Sequence, residues 1–413
     1  MKYAIKKSVS YKTNKMGQGV FILVLAAIIM AAELIMPAVS SRVNAAMVAL
    51  LLVVVTAVPA MNVGFNKIAS VSAKVMPVFI IEVITILFSF INGESVGTDI
   101  FVFYKLFVWS IISWYVVQNG NKKLAIILLL MVSAFYVLTS ITTYVGSNLF
   151  PGICRALTNS GERTDEIKTF ASRNNIGGFS FVYSVVLLFP LCFYLLKNKL
   201  FNRLIVIAIL ISLAMMISVA GFTTAMLFSI VSTVLLFIPT SFSIKKLIAM
   251  SILVLAILYP MSNLIGDFFM NISDSAKSAG VSQRLYDVGA TLKGEMTSQG
   301  SDFDHRMELW TNDIKWFFEN PFFGSSKCTG HSYILDKISQ FGLVGIILLF
   351  VEFGSIFKFF IKPYRKTKAY IYISFAFSLQ IGLSLLNPVL SHEIFVLIIP
   401  LMIFVFEDVK LSY

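Results

Sequence analysis

The chain reads as an all-α, polytopic membrane protein, and three observations carry that expectation. Hydrophobic residues make up 58% of its 413 positions and charged residues only 13%. The mean hydropathy of +0.86 lies well beyond that of a soluble globular domain. Apolar runs recur about twelve times, each near the ~20 residues that carry a helix across ~30 Å of hydrocarbon. Few of them alternate polar and apolar residues, so a closed β-barrel is not expected. The whole chain, 1–413, is expected to be one integral membrane domain of about 12 transmembrane helices.

The first run, 19–39, follows a basic leader from Lys2 to Lys15 and ends near Ala38-Val39-Ser40-Ser41, as a secretory signal would. Its apolar stretch exceeds the ~7–15 residues of a signal core and further runs follow, so a retained first helix is expected. Runs 43–62, 75–91, 100–117 and 124–145 come next. Glu33, Glu82 and Lys105 lie within these runs, where a charge is expensive and faces a partner or a polar cavity. They read either as the lining of a path for an acceptor or lipid carrier, or as a structural Glu–Lys pair. A polar segment, 146–175, precedes runs 176–196, 204–220, 222–239 and 247–264. The longest polar segment, 265–332, leads into 333–357, 369–387 and 394–407. Loops of this length are functional or disordered more often than not.

Lysine and arginine positions choose an orientation. With the amino terminus inside, well over half of the 33 basic residues fall at inside ends and loops, among them Lys67, Lys122, Lys123, Lys197, Lys199 and Arg203. Both termini are then cytoplasmic, and 146–175 and 265–332 are extracytoplasmic. The net charge of +12 reads as this bias plus contact with anionic headgroups of membrane lipids, not as nucleic-acid binding. Cys154 and Cys328 fall outside; two unpaired thiols are the favoured reading and a disulfide the alternative. No repeated half and no matched pair of broken helices marks an inverted-repeat transporter. Zinc-ligand spacing and a P-loop are absent, so no metal or other cofactor is expected.

Within 265–332, Met307, Trp310, Ile314 and Phe317 recur at steps of three and four, predicting a helix from Asp302 or Asp304. Asn320-Pro321 and Gly324 end it. Trp316, Phe318, Phe322 and Phe323 suit an element lying in the membrane interface. Arg306 sits beside the stripe; its plainer reading is an arginine snorkelling from an interfacial helix. His331-Ser332 stands where the polar segment meets the next apolar run. An imidazole there could move a proton, and several arginine forks could hold a diphosphate without metal. Any one of these arginines alone reads as a solvated loop charge.

The pattern His331-Ser332, nine residues, Gly342, two residues, Gly345 resembles the signature of the bacterial O-antigen ligase and polysaccharide polymerase superfamily. Arg306-Met307-Glu308-Leu309-Trp310 through Asn320-Pro321-Phe322-Phe323-Gly324 resembles that family's lead-in, and Arg173-Asn174-Asn175-Ile176-Gly177-Gly178 its asparagine-glycine start to the helix after the shorter loop. Many members carry a Ser-Arg pair near the stretch that here reads Gly221-Phe222-Thr223-Thr224, and this chain has no arginine there. The resemblance implies glycosyl transfer, without metal, outside the bacterial cytoplasmic membrane. The donor is a glycan on polyprenyl diphosphate, and the partners include a flippase and a chain-length regulator. Carried over by position, His331 is the base that assists the acceptor hydroxyl and Arg306 a phosphate ligand, with Arg163, Arg173 and Arg284 as further substrate-binding candidates. Pro321, Gly324, Gly342 and Gly345 are the structural part of the motif; the two helix glycines also read as close-packing positions. A polymerase that lengthens the glycan comes first, and a ligase that attaches finished glycan to lipid A core or another acceptor second. A flippase or other transporter is third, because the large loop and the histidine motif do not fit it.

Overall fold

The computed structural model describes residues 18–42, 45–91, 97–157, 165–237, 262–275 and 302–407, together with 282, 285–286, 289–290 and 293. The described residues contain helices and connections and no strand. Apolar sequence dictates this: where no water is at hand, a helix satisfies its backbone polar groups within one segment.

In chain order the helices are α1 (Gln18–Ile35), α2 (Pro37–Ser40), α3 (Ala45–Val63), α4 (Phe65–Ile91), α5 (Gly97–Gln118), α6 (Lys122–Leu149), α7 (Ile153–Ala156) and α8 (Asp165–Arg173). There follow α9 (Phe179–Lys197), α10 (Arg203–Ala220), α11 (Thr223–Thr233), α12 (Ser262–Ser275), α13 (Asp302–Glu319), α14 (Tyr333–Tyr364), α15 (Tyr370–Leu386) and α16 (Ile394–Glu407). Five of them, α4, α6, α9, α10 and α14, are long and apolar enough to cross a membrane by length and composition. Shorter apolar helices lie at Ile22–Ile35, Thr224–Thr233, Tyr370–Leu386 and Ile394–Glu407.

The central helix, α6, packs against α1, α10 and α16, while α9 packs against α10, α11 and α15. Its buried face carries Thr139, Ser140, Thr143, Gly146 and Ser147, small groups that let helices approach and bond across the interface. The Ser113 hydroxyl donates to the Val396 carbonyl at 2.6 Å, tying α5 to α16. Asn175, at φ +54°, knots one end of the bundle. Its amide donates to the Thr139 hydroxyl at 2.9 Å and accepts from the Ala38 N–H at 3.3 Å. At the opposite end the Tyr194 hydroxyl donates to Glu407 at 2.7 Å.

Several boundaries differ from the sequence expectation. Met36 is extended (φ −105°, ψ 107°) before Pro37, so the run at 19–39 breaks into two helices, as proline requires of its predecessor. The connection expected at 63–74 is helical: Ile68, Val71 and Val75 are buried at helical spacing, and Lys67 is exposed. Lys67 and Lys74 had disguised an amphipathic first part of α4. α6 runs on to Leu149, so the shorter polar segment begins later than 146 and carries α7 and α8. α12 crosses the expected boundary at 265, and 238–261 of the run before it lies outside the described residues. Lys105 and Glu33 form an ion pair at 2.6 Å, the structural alternative for those two charges, whereas Glu82 keeps other company.

Candidate functional site

The site is built where α13 turns back onto α14. After α13, Pro321 to Gly324 form a tight turn in which the Gly324 N–H donates to the Asn320 carbonyl at 2.9 Å. That turn docks into a break in α14 at Gly342, where the backbone leaves helical geometry (φ +63°, ψ −141°). The break frees the N–H groups of Leu343 and Val344, and these donate to the carbonyls of Pro321 (2.7 Å) and Phe322 (3.4 Å). A Cβ on Gly342 would lie 2.5 Å from the Pro321 oxygen and 2.6 Å from the Gly324 nitrogen, and one on Gly345 would meet the Lys337 carbonyl. Gly324 (φ +79°) faces the Gln340 carbonyl in the same way. Only glycine fits the conformation and the contact together.

His331 is half-buried in the loop between turn and helix, and its neighbours are strung between two carboxylates. Asp313 of α13, 1% exposed, accepts from the Thr329 N–H (3.0 Å) and hydroxyl (2.6 Å). Asp336 of α14 accepts from the N–H groups of Gly330 (2.9 Å) and Ser332 (3.3 Å). Ser332 caps α14, its hydroxyl accepting from the Leu335 N–H at 3.1 Å. Every residue bordering His331 is thus anchored. Burial pushes the Asp313 carboxyl above its ordinary pKa, against the opposing pull of the Thr329 bonds, a hydrogen bond with Asp336 and the charge of His331 nearby.

Arg306 enters from the other side. Its Nη1 donates to Asn387 Oδ1 at 3.1 Å and reaches the Leu386 carbonyl at 3.4 Å. Asn387, fully buried, also accepts the Tyr183 hydroxyl on Oδ1 (3.1 Å) and the Tyr333 N–H on its backbone carbonyl (3.1 Å). One asparagine therefore joins α9, α13, α14 and α15. Its Nδ2 has no hydrogen-bond partner among the described residues. The remaining donors of Arg306 leave anion-binding capacity near Tyr333, two residues along the chain from His331.

Behind Tyr333 lies a second cluster. The Tyr333 hydroxyl donates to Glu352 at 3.0 Å, and His392 Nε2 lies 3.1 Å from Glu352 and Nδ1 3.5 Å from Glu82. Glu82, Glu352 and His392 are the one group among the described residues with ligand atoms close enough to hold a metal ion, all within 4.8 Å. Each ring nitrogen faces a different carboxylate. That is how an imidazolium bridges two carboxylates, whereas a metal would take one nitrogen. Lys337, whose ammonium donates to Thr85 at 2.8 Å, adds a second basic group nearby.

Arg163 and Arg284 are outside the described residues. Arg173 is exposed at the end of α8. Its motif, through Asn175 and the Gly177 N–H that donates to Thr143 at 2.7 Å, serves as the knot described above. Cys154 is buried and Cys328 exposed, and neither forms a disulfide among the described residues. Sequence reasoning passed over Asp313, Asn387 and Glu352. Asp313 lies seven residues after Arg306, two helical turns on and so on the same face, which was the available signal; Glu352 lies deep in an apolar run, a position that invites suspicion by itself. Asn387 precedes Pro388 at the end of an apolar run, where an amide is common and gives no signal of its own.

No protein-family model matches the chain, and no curated protein compared with it matches either.

Proposed function

We propose that the protein is a polysaccharide polymerase of the cytoplasmic membrane. In this reading it moves a growing glycan from polyprenyl diphosphate onto a carrier-linked repeat unit at the outer face. The observation that supports it best is the anchoring of His331 between Asp313 and Asp336, with Arg306 held on Asn387 across the same loop. In this reading about twelve spans, cytoplasmic termini and two outward segments, one after Leu149 and one leading to His331, complete the arrangement.

His331 accepts the proton of the acceptor hydroxyl as that oxygen bonds to the anomeric carbon, and the carbon's bond to the diphosphate breaks. Arg306, held in place by Asn387, takes up charge on the leaving phosphate oxygens. An imidazole is suited to the first task and a fixed guanidinium to the second. The arrangement calls for no metal, and the loop that carries the histidine is held on both sides.

Deleting the protein from its host and profiling carrier-linked glycans tests the reading. Single repeat units accumulating on the outer leaflet support polymerisation. Full-length carrier-linked chains indicate a ligase, and repeat units held on the cytoplasmic leaflet indicate a flippase; either result overturns the proposal.

A further inference from the structure

A cavity of about 390 Å³ opens between α6, α9, α10 and α16, well away from His331. Its walls come from Leu129 to Val137, Leu188 to Leu195, Phe201 to Leu213 and Ile398 to Phe406. Those are the halves of the four helices nearest Lys122, Lys197, Arg203 and Glu407, opposite the end that Asn175 knots. The wall is hydrocarbon almost throughout. Ser133 spends its hydroxyl on the Leu129 carbonyl (2.8 Å) and the Tyr136 hydroxyl is engaged by Ser184, so neither offers a free polar group to a ligand. Leu130 and Ile205, both exposed, stand at the rim, so the opening is lateral. An apolar cavity of this kind stays dry and takes apolar matter.

Charge at the mouth narrows the occupant. Phe201 lines the cavity from the α9–α10 hairpin, and the exposed Lys199 and Arg203 stand two residues to either side of it. Asn202 fixes the hairpin, its side chain accepting from the Leu204 N–H at 2.9 Å. Lys122 and Lys123 open α6 at the same end, both exposed. Apolar walls below two or more cations match one molecular shape: an acyl chain under an anionic phosphate. We infer that this cavity binds an anionic glycerophospholipid, one acyl chain between α6 and α10 and the headgroup phosphate on Lys199 and Arg203. The site is independent of the glycan chemistry proposed above.

Cys192 lies in the wall and supplies a native reporter. In full-length protein carrying Cys154→Ser and Cys328→Ser, Cys192 is the remaining thiol. After delipidation in mild detergent, its alkylation by N-ethylmaleimide is followed by mass spectrometry with added phosphatidylglycerol or phosphatidylcholine of matched chains. Phosphatidylglycerol is expected to protect Cys192 at concentrations where phosphatidylcholine does not. Lys199→Ala with Arg203→Ala should shrink that preference by about thirty-fold, since each cation near an anionic headgroup contributes about five-fold. A Leu191→Trp variant, checked for unchanged melting temperature, should fill the space and abolish the lipid dependence. Equal protection by both lipids, or a preference unchanged in the double variant, overturns the inference. So does protection by polyprenyl phosphate with phosphatidylglycerol inert.

Discussion

At the scale of single residues, His331 stands half-buried in a loop whose flanking residues are anchored on both sides. Asp313 and Asp336 hold the N–H groups of Thr329, Gly330 and Ser332 on either side of the imidazole. His331→Ala is expected to lower glycan transfer by about 100-fold or more while the melting temperature stays within error, because a positioned general base is worth about that much. Asp313→Ala, which releases the loop but spares the base, is expected to give a smaller loss. Equal losses would move the chemistry onto Asp313. Arg306 presents charge and fork geometry together. Arg306→Lys should retain part of the activity that Arg306→Ala loses if charge matters more, and none if the bond to Asn387 sets the register. His331 and Arg306 were legible in the sequence because their residue types announce proton and phosphate chemistry. Asp313 and Asn387 were not, since carboxylates and amides are common in polar loops and only folding reveals that these two are buried.

Elements carry the next level. The turn at Pro321–Gly324 inserted into the break at Gly342 makes α13 and α14 one unit, and His331 lies inside the closed loop between them. Gly342→Ala meets both a left-handed φ and the Pro321 carbonyl. A loss of about 3 kcal/mol is expected, from strain of ~1–3 kcal/mol and the clash, visible as a lower melting temperature and a weaker transfer rate together. The sequence placed α13 within a residue or two through its apolar stripe and proline stop, yet the stripe residues Met307 and Ile314 are exposed while Asp313 is buried. Periodicity locates a helix; it identifies the inward face only when the interior is apolar, and this one is polar. The cluster behind Tyr333 belongs to the same scale, tying α4, α14 and α16. Glu352→Ala, which strips one carboxylate from a buried imidazole, should cost about 3–5 kcal/mol, and Glu352→Gln, which keeps an acceptor, distinctly less. Equal thermal shifts for the two would show that packing rather than charge holds the cluster.

Across the whole molecule, apolar sequence set the class. The described residues are helical, and five helices have the length and composition to cross a membrane. Counting runs was a poorer guide to their division. Met36–Pro37 splits one run, Lys67 and Lys74 hid the start of α4, and the Gly342 break falls inside what reads as an unbroken span. Each departure arises from a local rule, proline, amphipathy or a positive φ, acting inside a stretch that hydropathy averages over. The site gathers the ends of α9, α13, α14 and α15, whose residues Tyr183, Arg306, Tyr333 and Asn387 span more than 200 positions of sequence. No local pattern could have brought them together.

The central claim is that this assembly transfers glycan from a diphosphate lipid. Its most direct test is the purified protein in vesicles with a defined oligosaccharide on polyprenyl diphosphate as the substrate. The account predicts longer lipid-linked glycans and one free polyprenyl diphosphate released for each bond made, with both products lost together in His331→Ala. Unchanged oligosaccharide length with the donor merely moved between leaflets, or transfer that survives His331→Ala, would contradict it.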